Sequence, residues 1–189
     1  MLLTELGVPL VVRAVDIDES VRDGEAATAY IERIVASKLE AALGLDEARA
    51  ARAVLVADTV VIASPDGERK ILGKPVDDAD ARSMIRTLAG AVHEVATRFA
   101  LAAGGALDDS EGSGRVVART VRTRVEFREL DDAAVARYVA TGEGRDKAGS
   151  YALQGIGAML VRGLVGSHTN VIGLPVCEVV EALEQFALR

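Results

Sequence analysis

One carboxylate interrupts the most apolar stretch of this sequence: Asp58, followed by Thr59, lies inside the nearly continuous β-branched run from Val54 to Ala63. An acid between Val56-Ala57 and Val60-Val61 is costly to bury without a partner. It is therefore either a structural acid satisfied by backbone amides, or a metal ligand or general base at a strand end, where α/β sites gather; the residues alone leave both open. Lys38 shares the helical spacing of Ile31, Ile34, Val35 and Ala42, so it projects from an apolar face. Its stem packs while its amine escapes to water, or the amine is aimed at a bound phosphate. Lys74, between Gly73 and Pro75, has the same two readings, a solvated turn lysine or a fixed cation beside a phosphate. Asp16, Asp18 and Glu19 could supply the oxygen ligands that Mg²⁺ or Mn²⁺ require, or could cap the helix that follows. Gln154, an amide among apolar and glycine residues, can donate and accept at a base edge, or can be a satisfied polar group of a strand.

Other reactive side chains point to structure. His93 and His168 are far apart in sequence and lack the companions of a metal site or a Ser/His/Asp arrangement. Gly166-Ser167-His168-Thr169-Asn170 reads as a tight polar turn, with an anion-binding nest as the alternative. Cys177, near a helix start, reads as a packing residue rather than a nucleophile.

The elements that must position these residues follow from periodicity and punctuation. Met1 to Leu6 reads as the tail of a helix closed by Gly7, and Leu10 to Ala14 as a short strand. Gly24 to Leu43 has a helical period and stops at Gly44. Val54 to Ala63 is a central strand covered on both faces. After the Gly73-Lys74-Pro75 turn, Asp77 or Asp78 caps a helix through Leu88, and His93 to Leu101 is a strand. Leu107 to Gly114 is a solvated loop. Arg119 to Arg128 alternates apolar and charged residues, as a half-exposed strand at or near an edge does. Asp131 caps a helix ending before Gly142. The Gly-rich stretch from Gly142 to Gly173 is predicted to carry two or three short strands, and Pro175 opens the last helix, to about Leu188.

Composition narrows the function classes. The 189 residues are 50% hydrophobic and 27% charged, with a net charge of -7 and no cluster of Lys and Arg. Nucleic-acid binding, which needs concentrated positive charge, is disfavoured. No run approaches the roughly 18 apolar residues of a membrane span, and a single cysteine cannot form an intramolecular disulfide. A cytoplasmic α/β protein is expected, its core built from Val, Leu, Ile and Ala in the absence of Trp.

Taken in order, these segments resemble the Maf family across essentially the whole chain. The resemblance is carried by Leu6-Gly7-Val8-Pro9 with Asp16-Ile17-Asp18-Glu19, by Ala57-Asp58-Thr59-Val60-Val61, by Leu72-Gly73-Lys74-Pro75, and by Leu88-Ala89-Gly90 with His93-Glu94-Val95-Ala96-Thr97. Asp146-Lys147-Ala148-Gly149-Ser150-Tyr151-Ala152-Leu153-Gln154-Gly155 and Asn170-Val171-Ile172-Gly173-Leu174-Pro175 extend it. The resemblance implies an elongated α/β fold of the Maf/ITPase-like kind, a central mixed twisted sheet flanked by helices, in two lobes with a cleft. It also implies hydrolysis of a nucleoside triphosphate between its α and β phosphates, assisted by a divalent cation, Mg²⁺ or Mn²⁺, and a possible homodimer. Asp58 then matches the general base or water-positioning acid, Glu19 an acid associated with metal and triphosphate, and Lys38 and Lys74 the lysines that neutralise the phosphates. Asp58 and Glu19 are the implied metal ligands. Thr59 and Gln154 resemble the substrate-binding residues of the subgroup acting on dTTP and UTP, rather than on 7-methyl-GTP.

Family members open with a strand and a Ser-x-Ser-x-Arg-Arg turn, whereas Met1 here already falls inside the helix that follows. The expectation is a single Maf-like domain over residues 1–189 that lacks that strand and turn. Either an internal methionine has been taken as the start of a longer chain, or the turn has been lost. Loss of a charged transition-state contact would leave activity poor, and the alternative function is then a catalytically impaired regulatory or partner-binding protein of the same fold.

Overall fold

The computed structural model describes residues 2–106 and 115–186. Seven helices and five strands are placed in it: α1 (Leu2–Glu5), α2 (Ala27–Leu43), α3 (Asp46–Ala50), β1 (Ala53–Ala63), β2 (Lys70–Leu72), α4 (Asp78–Leu88), β3 (Val92–Ala103), β4 (Val116–Phe127), α5 (Asp132–Ala140), β5 (Val161–Val165), α6 (His168–Ile172) and α7 (Val176–Gln185). The strands form one sheet in the order β2-β1-β3-β4-β5.

The expected α/β class holds, but the sheet is antiparallel rather than mixed. Parallel neighbours need a crossover connection. The one helical crossover here, β2 to α4 to β3, joins strands on opposite sides of β1 and so creates no adjacent parallel pair. Register is set at β1/β2 by Val61 opposite Leu72 and at β4/β5 by Val125 opposite Leu164, with an irregularity at Glu126/Phe127. β4 lies one strand in from the edge, where its charged alternation belongs.

The chain divides into two compact units: Met1–Asp58, Arg98–Thr120 and Leu174–Arg189, and Thr59–Thr97 with Val121–Gly173. In the first, Leu3, Phe99, Leu101, Val179, Ala182 and Phe186 form a core, and the stripe Tyr30, Ile31, Ile34, Val35 and Ala42 of α2 is buried. In the second, the core gathers Val61, Ile85, Leu88, Val95, Val125, Phe127, Tyr138 and Leu160 among others. Its helices start on side-chain caps of the kind their sequences announce: Asp77 accepts from Asp80 N at 2.8 Å, and Asp131 from Ala134 N at 2.7 Å.

Three further expectations are corrected. Residues 10–14 form no strand: the consecutive apolar residues Leu10, Val11 and Val12 are exposed, and no ladder partner is found among the described residues. The 142–173 stretch holds one strand, β5, rather than two or three. Positive φ at Gly142, Gly149, Ser150, Gly166 and Gly173 bends the backbone into turns that cannot propagate a ladder. Cys177 is exposed, not packed. The predicted loop at 107–114 lies outside the described residues.

Candidate active site

Within the first unit, three of the charged residues singled out in the sequence meet: Lys38, Asp58 and Glu19. Strand β1 carries Asp58 to its last residue in that unit, and α2 directs Lys38 off its buried stripe. The Lys38 Nζ donates to Asp58 Oδ1 at 2.6 Å and contacts Glu19 Oε1 at 2.7 Å. Lys38 and Asp58 are largely sequestered, with side chains 16% and 17% exposed, while Glu19 is 39% exposed. Burial by itself would lower the Lys38 pKa, but the hydrogen bonds to Asp58 and Glu19 outweigh it and the pKa is raised. Lys38 is therefore an ammonium at neutral pH.

Glu19 lies on an extended segment that belongs to no regular element, so its position depends on straps to α2. The Tyr30 hydroxyl donates to Glu19 O at 3.1 Å. Nearly one turn on, Arg33 donates to Ser20 O at 2.9 Å and grips the Glu25 carboxylate with two bonds of 2.7 Å. The Arg33 hydrogen bond holds the Glu25 carboxyl down to about 2. The Asp18 pKa is lowered first by the hydrogen bond from the Ser20 side chain and then by Ser20 N, which donates to Asp18 Oδ1 at 2.9 Å. Tyr30 has a raised pKa, first from burial and then from the negative charges of Asp58 and Glu19.

Of the three acids Asp16, Asp18 and Glu19, Glu19 is the one that meets Lys38 together with Asp58. Among the described residues no three His, Cys, Asp or Glu side chains gather as a metal site. Two carboxylates converging on one positive charge are nonetheless the protein share that Mg²⁺ commonly takes, with water and phosphate oxygens completing its shell. The oxygen donors of Asp58 and Glu19 are of the kind a hard divalent cation takes.

The remaining candidates belong to the second unit. Lys74 is exposed in a turn pinned by Gly149 N, which donates to Gly73 O at 3.0 Å. It adds to the lowering of the Asp146 pKa, whose main cause is the hydrogen bond from Lys147. Thr59 Oγ1 is 2.8 Å from Thr97 Oγ1. Gln154 is exposed on a turn, not in a strand. Glu143 holds that turn: Oε1 accepts from Ile156 N at 2.6 Å, and Oε2 accepts from Gly157 N at 2.7 Å and from the Tyr138 hydroxyl at 3.0 Å. A Cβ on Gly155 would fall 1.8 Å from Glu143 Oε1, so a side chain there would push the Glu143 carboxylate off these bonds.

Glu143 is a structural support that the sequence did not announce, because an acid after Thr141-Gly142 is ordinary in a loop. Asn170 is another. It is fully buried, its Nδ2 donates to Val95 O and Thr123 Oγ1 at 3.0 Å each, and Oδ1 accepts from Thr97 N at 3.2 Å. The Gly166 to Asn170 segment is thus a polar turn with Ser167 capping α6 through Asn170 N at 3.2 Å. His93 is structural, buried with Nε2 2.9 Å from the Tyr151 hydroxyl.

An antiparallel sheet flanked by helices, with a lysine clamped between two carboxylates at strand β1, defines an α/β protein. The chain belongs to the family described as Maf-like protein, whose model matches residues 1–186. A dTTP/UTP pyrophosphatase of Hahella chejuensis (strain KCTC 2396) is 40% identical over 188 residues, covering 100% of this chain and 87% of the relative. Proteins of the same name from Geobacter sp. (strain M21) and Citrifermentans bemidjiense are 45% and 44% identical over 182 residues, each covering 96% of this chain and 87% of the relative.

Proposed function

We propose that this chain is a nucleoside-triphosphate pyrophosphatase that hydrolyses dTTP and UTP to the monophosphate and pyrophosphate. The observation that carries the reading is the Lys38 ammonium held between Asp58 and Glu19, and relatives that bear this activity in their name support it. A water molecule attacks the α-phosphorus, the bond to the α–β bridging oxygen breaks, and pyrophosphate leaves. Asp58 orients that water and takes its proton. Lys38 and Lys74 are the cations that offset charge developing on phosphoryl oxygens. Thr59 and Gln154 contact the nucleoside. Asp58 and Glu19 would hold a divalent cation, which would supply Lewis-acid neutralisation of the phosphate chain. The single thiol is exposed, which suits a reducing compartment, and we place the enzyme in the cytoplasm on that ground.

The test is product analysis by ³¹P NMR with Mg²⁺ or Mn²⁺ and dTTP, UTP or 7-methyl-GTP. Pyrophosphate from dTTP and UTP, suppressed by chelator and absent from Asp58→Asn, is the expected result. Release of orthophosphate, or no release at all, would exclude the reading.

A further inference from the structure

The hydroxyl of Thr59 has only one way to place its proton. Thr97 Oγ1 is 2.8 Å from Asn170 O, and a carbonyl cannot donate, so the Thr97 proton is committed to that bond. The 2.8 Å contact between Thr59 Oγ1 and Thr97 Oγ1 then needs its proton from Thr59. Thr97 cannot turn to reverse this. It is fully buried, and its backbone N–H is tied to Asn170 Oδ1 at 3.2 Å. Asn170 is in turn fixed by its two donor bonds, to Val95 O and Thr123 Oγ1. Thr59 is half-buried, and beside its hydroxyl the chain carries Gly173, at φ +117, where an added Cβ would lie 3.6 Å from Thr59 Oγ1. No side chain on Gly173 covers that face.

We infer that Asn170 and Thr97 set Thr59 as an obligate hydrogen-bond acceptor, which selects nucleotides presenting a donor to it. Thr97 and Asn170 are positioning residues, and Thr59 is the residue that reads the ligand. This rests on the pyrophosphatase reading for the identity of the ligand. The donor is an N–H of the base, which the imide of uracil and thymine offers and the ring nitrogen N3 of cytosine does not, or a hydroxyl of the sugar. A phosphate oxygen, having no proton to give at neutral pH, is not a partner for Thr59.

Two measurements test the idea on the full chain. Neutron diffraction of the deuterated wild-type protein should find the deuteron of the Thr59–Thr97 bond on Thr59; a deuteron on Thr97 would overturn the inference whatever the enzyme does. Steady-state hydrolysis of UTP, CTP and 3′-deoxy-UTP then identifies the donor. In Thr97→Val the freed Thr59 proton can turn outward, so discrimination should relax by about tenfold, the equivalent of one hydrogen bond, and through KM more than kcat. Relaxation of the UTP/CTP ratio assigns the base, and relaxation of the UTP/3′-deoxy-UTP ratio assigns the sugar. The variant should fold, because Asn170 O keeps its bond from Gly173 N at 3.0 Å, and Thr97→Ser should restore the wild-type ratios. Unchanged ratios in Thr97→Val would refute selection through Thr59. A wild-type chain that hydrolyses none of the nucleotides would instead defeat the pyrophosphatase reading and with it the nucleoside as donor.

Discussion

Lys38 Nζ and Asp58 Oδ1 are 2.6 Å apart, and neither side chain is more than one-fifth exposed. Surface ion pairs contribute little, but removing one partner from a sequestered pair leaves the other desolvated without compensation. Lys38→Met should therefore cost about 1–3 kcal/mol of stability, measured by urea denaturation, because it strands two carboxylates. Asp58→Asn should be milder, since Lys38 keeps Glu19. The double variant should be more stable than the sum of the single effects implies, a coupling that a double-mutant cycle reads directly.

Activity should order these variants differently. Asp58→Asn keeps the shape of the side chain but cannot take a proton, so kcat should fall by about 10²–10⁴-fold with a melting temperature near wild type. A variant that melts normally and turns over normally would remove Asp58 from the chemistry.

The Gln154 turn hangs on Glu143, whose carboxylate accepts from two backbone amides and from Tyr138. Tyr138 has its pKa raised, mainly by burial, and so remains a donor across the physiological range. Glu143→Gln replaces an oxygen acceptor with an amide nitrogen that faces other donors. The expected outcome is a KM for dTTP raised by about tenfold with kcat nearly unchanged, because the turn presenting Gln154 loosens while the first unit is untouched. Equal losses in kcat and kcat/KM would contradict this division of roles.

What the sequence revealed and what it concealed have physical causes. Asp58 was legible because a carboxylate inside an apolar β-branched run breaks the pattern that burial imposes, and Lys38 because a charge fell on the apolar period of a helix. Asp77 and Asp131 were legible as caps because capping is local, spanning three residues. Glu143, Thr97 and Asn170 were not, because their bonds close over 14 or 73 residues and their types are unremarkable where they stand. The Leu10-Val11-Val12 run misled because an apolar triplet states a preference for extension but not the presence of a neighbour. The Gly142 to Gly173 stretch misled because its positive-φ turns look, by composition alone, like hairpin punctuation.

Close packing around the Asp146 to Gly155 stretch gives a further prediction. Gly149 has φ +67, and a Cβ there would lie 2.9–3.0 Å from the side chain of Val61 on β1. Gly149→Ala meets both a conformational penalty and a clash with a buried residue, and should lower stability by about 1–3 kcal/mol. Gly163→Ala, where φ is not positive and nothing lies within 4 Å, should be close to neutral. Comparable melting temperatures for the two variants would show that Val61 yields freely.

Burial of His93 should weaken the second unit in acid. Its ring stands edge-on to Phe127 and Tyr151, with centroids 5.0 and 5.5 Å away, and burial lowers its pKa from 6.5 to about 4. In the unfolded chain it titrates near its ordinary value. Between those two values the unfolded state binds the proton that the folded state refuses, so stability rises with pH across that interval. The contribution is fully present above about pH 6.5 and is lost as pH falls toward 4, amounting to about 3 kcal/mol over the whole window. Urea denaturation of wild type and His93→Phe at pH 7 and pH 4 isolates it: the variant should lose less stability than wild type on acidification, although it forfeits the Tyr151 hydrogen bond at both pH values. Parallel losses in the two proteins would mean that His93 is protonated in the fold, in contact with the Tyr151 oxygen, and that other groups set the acid limit.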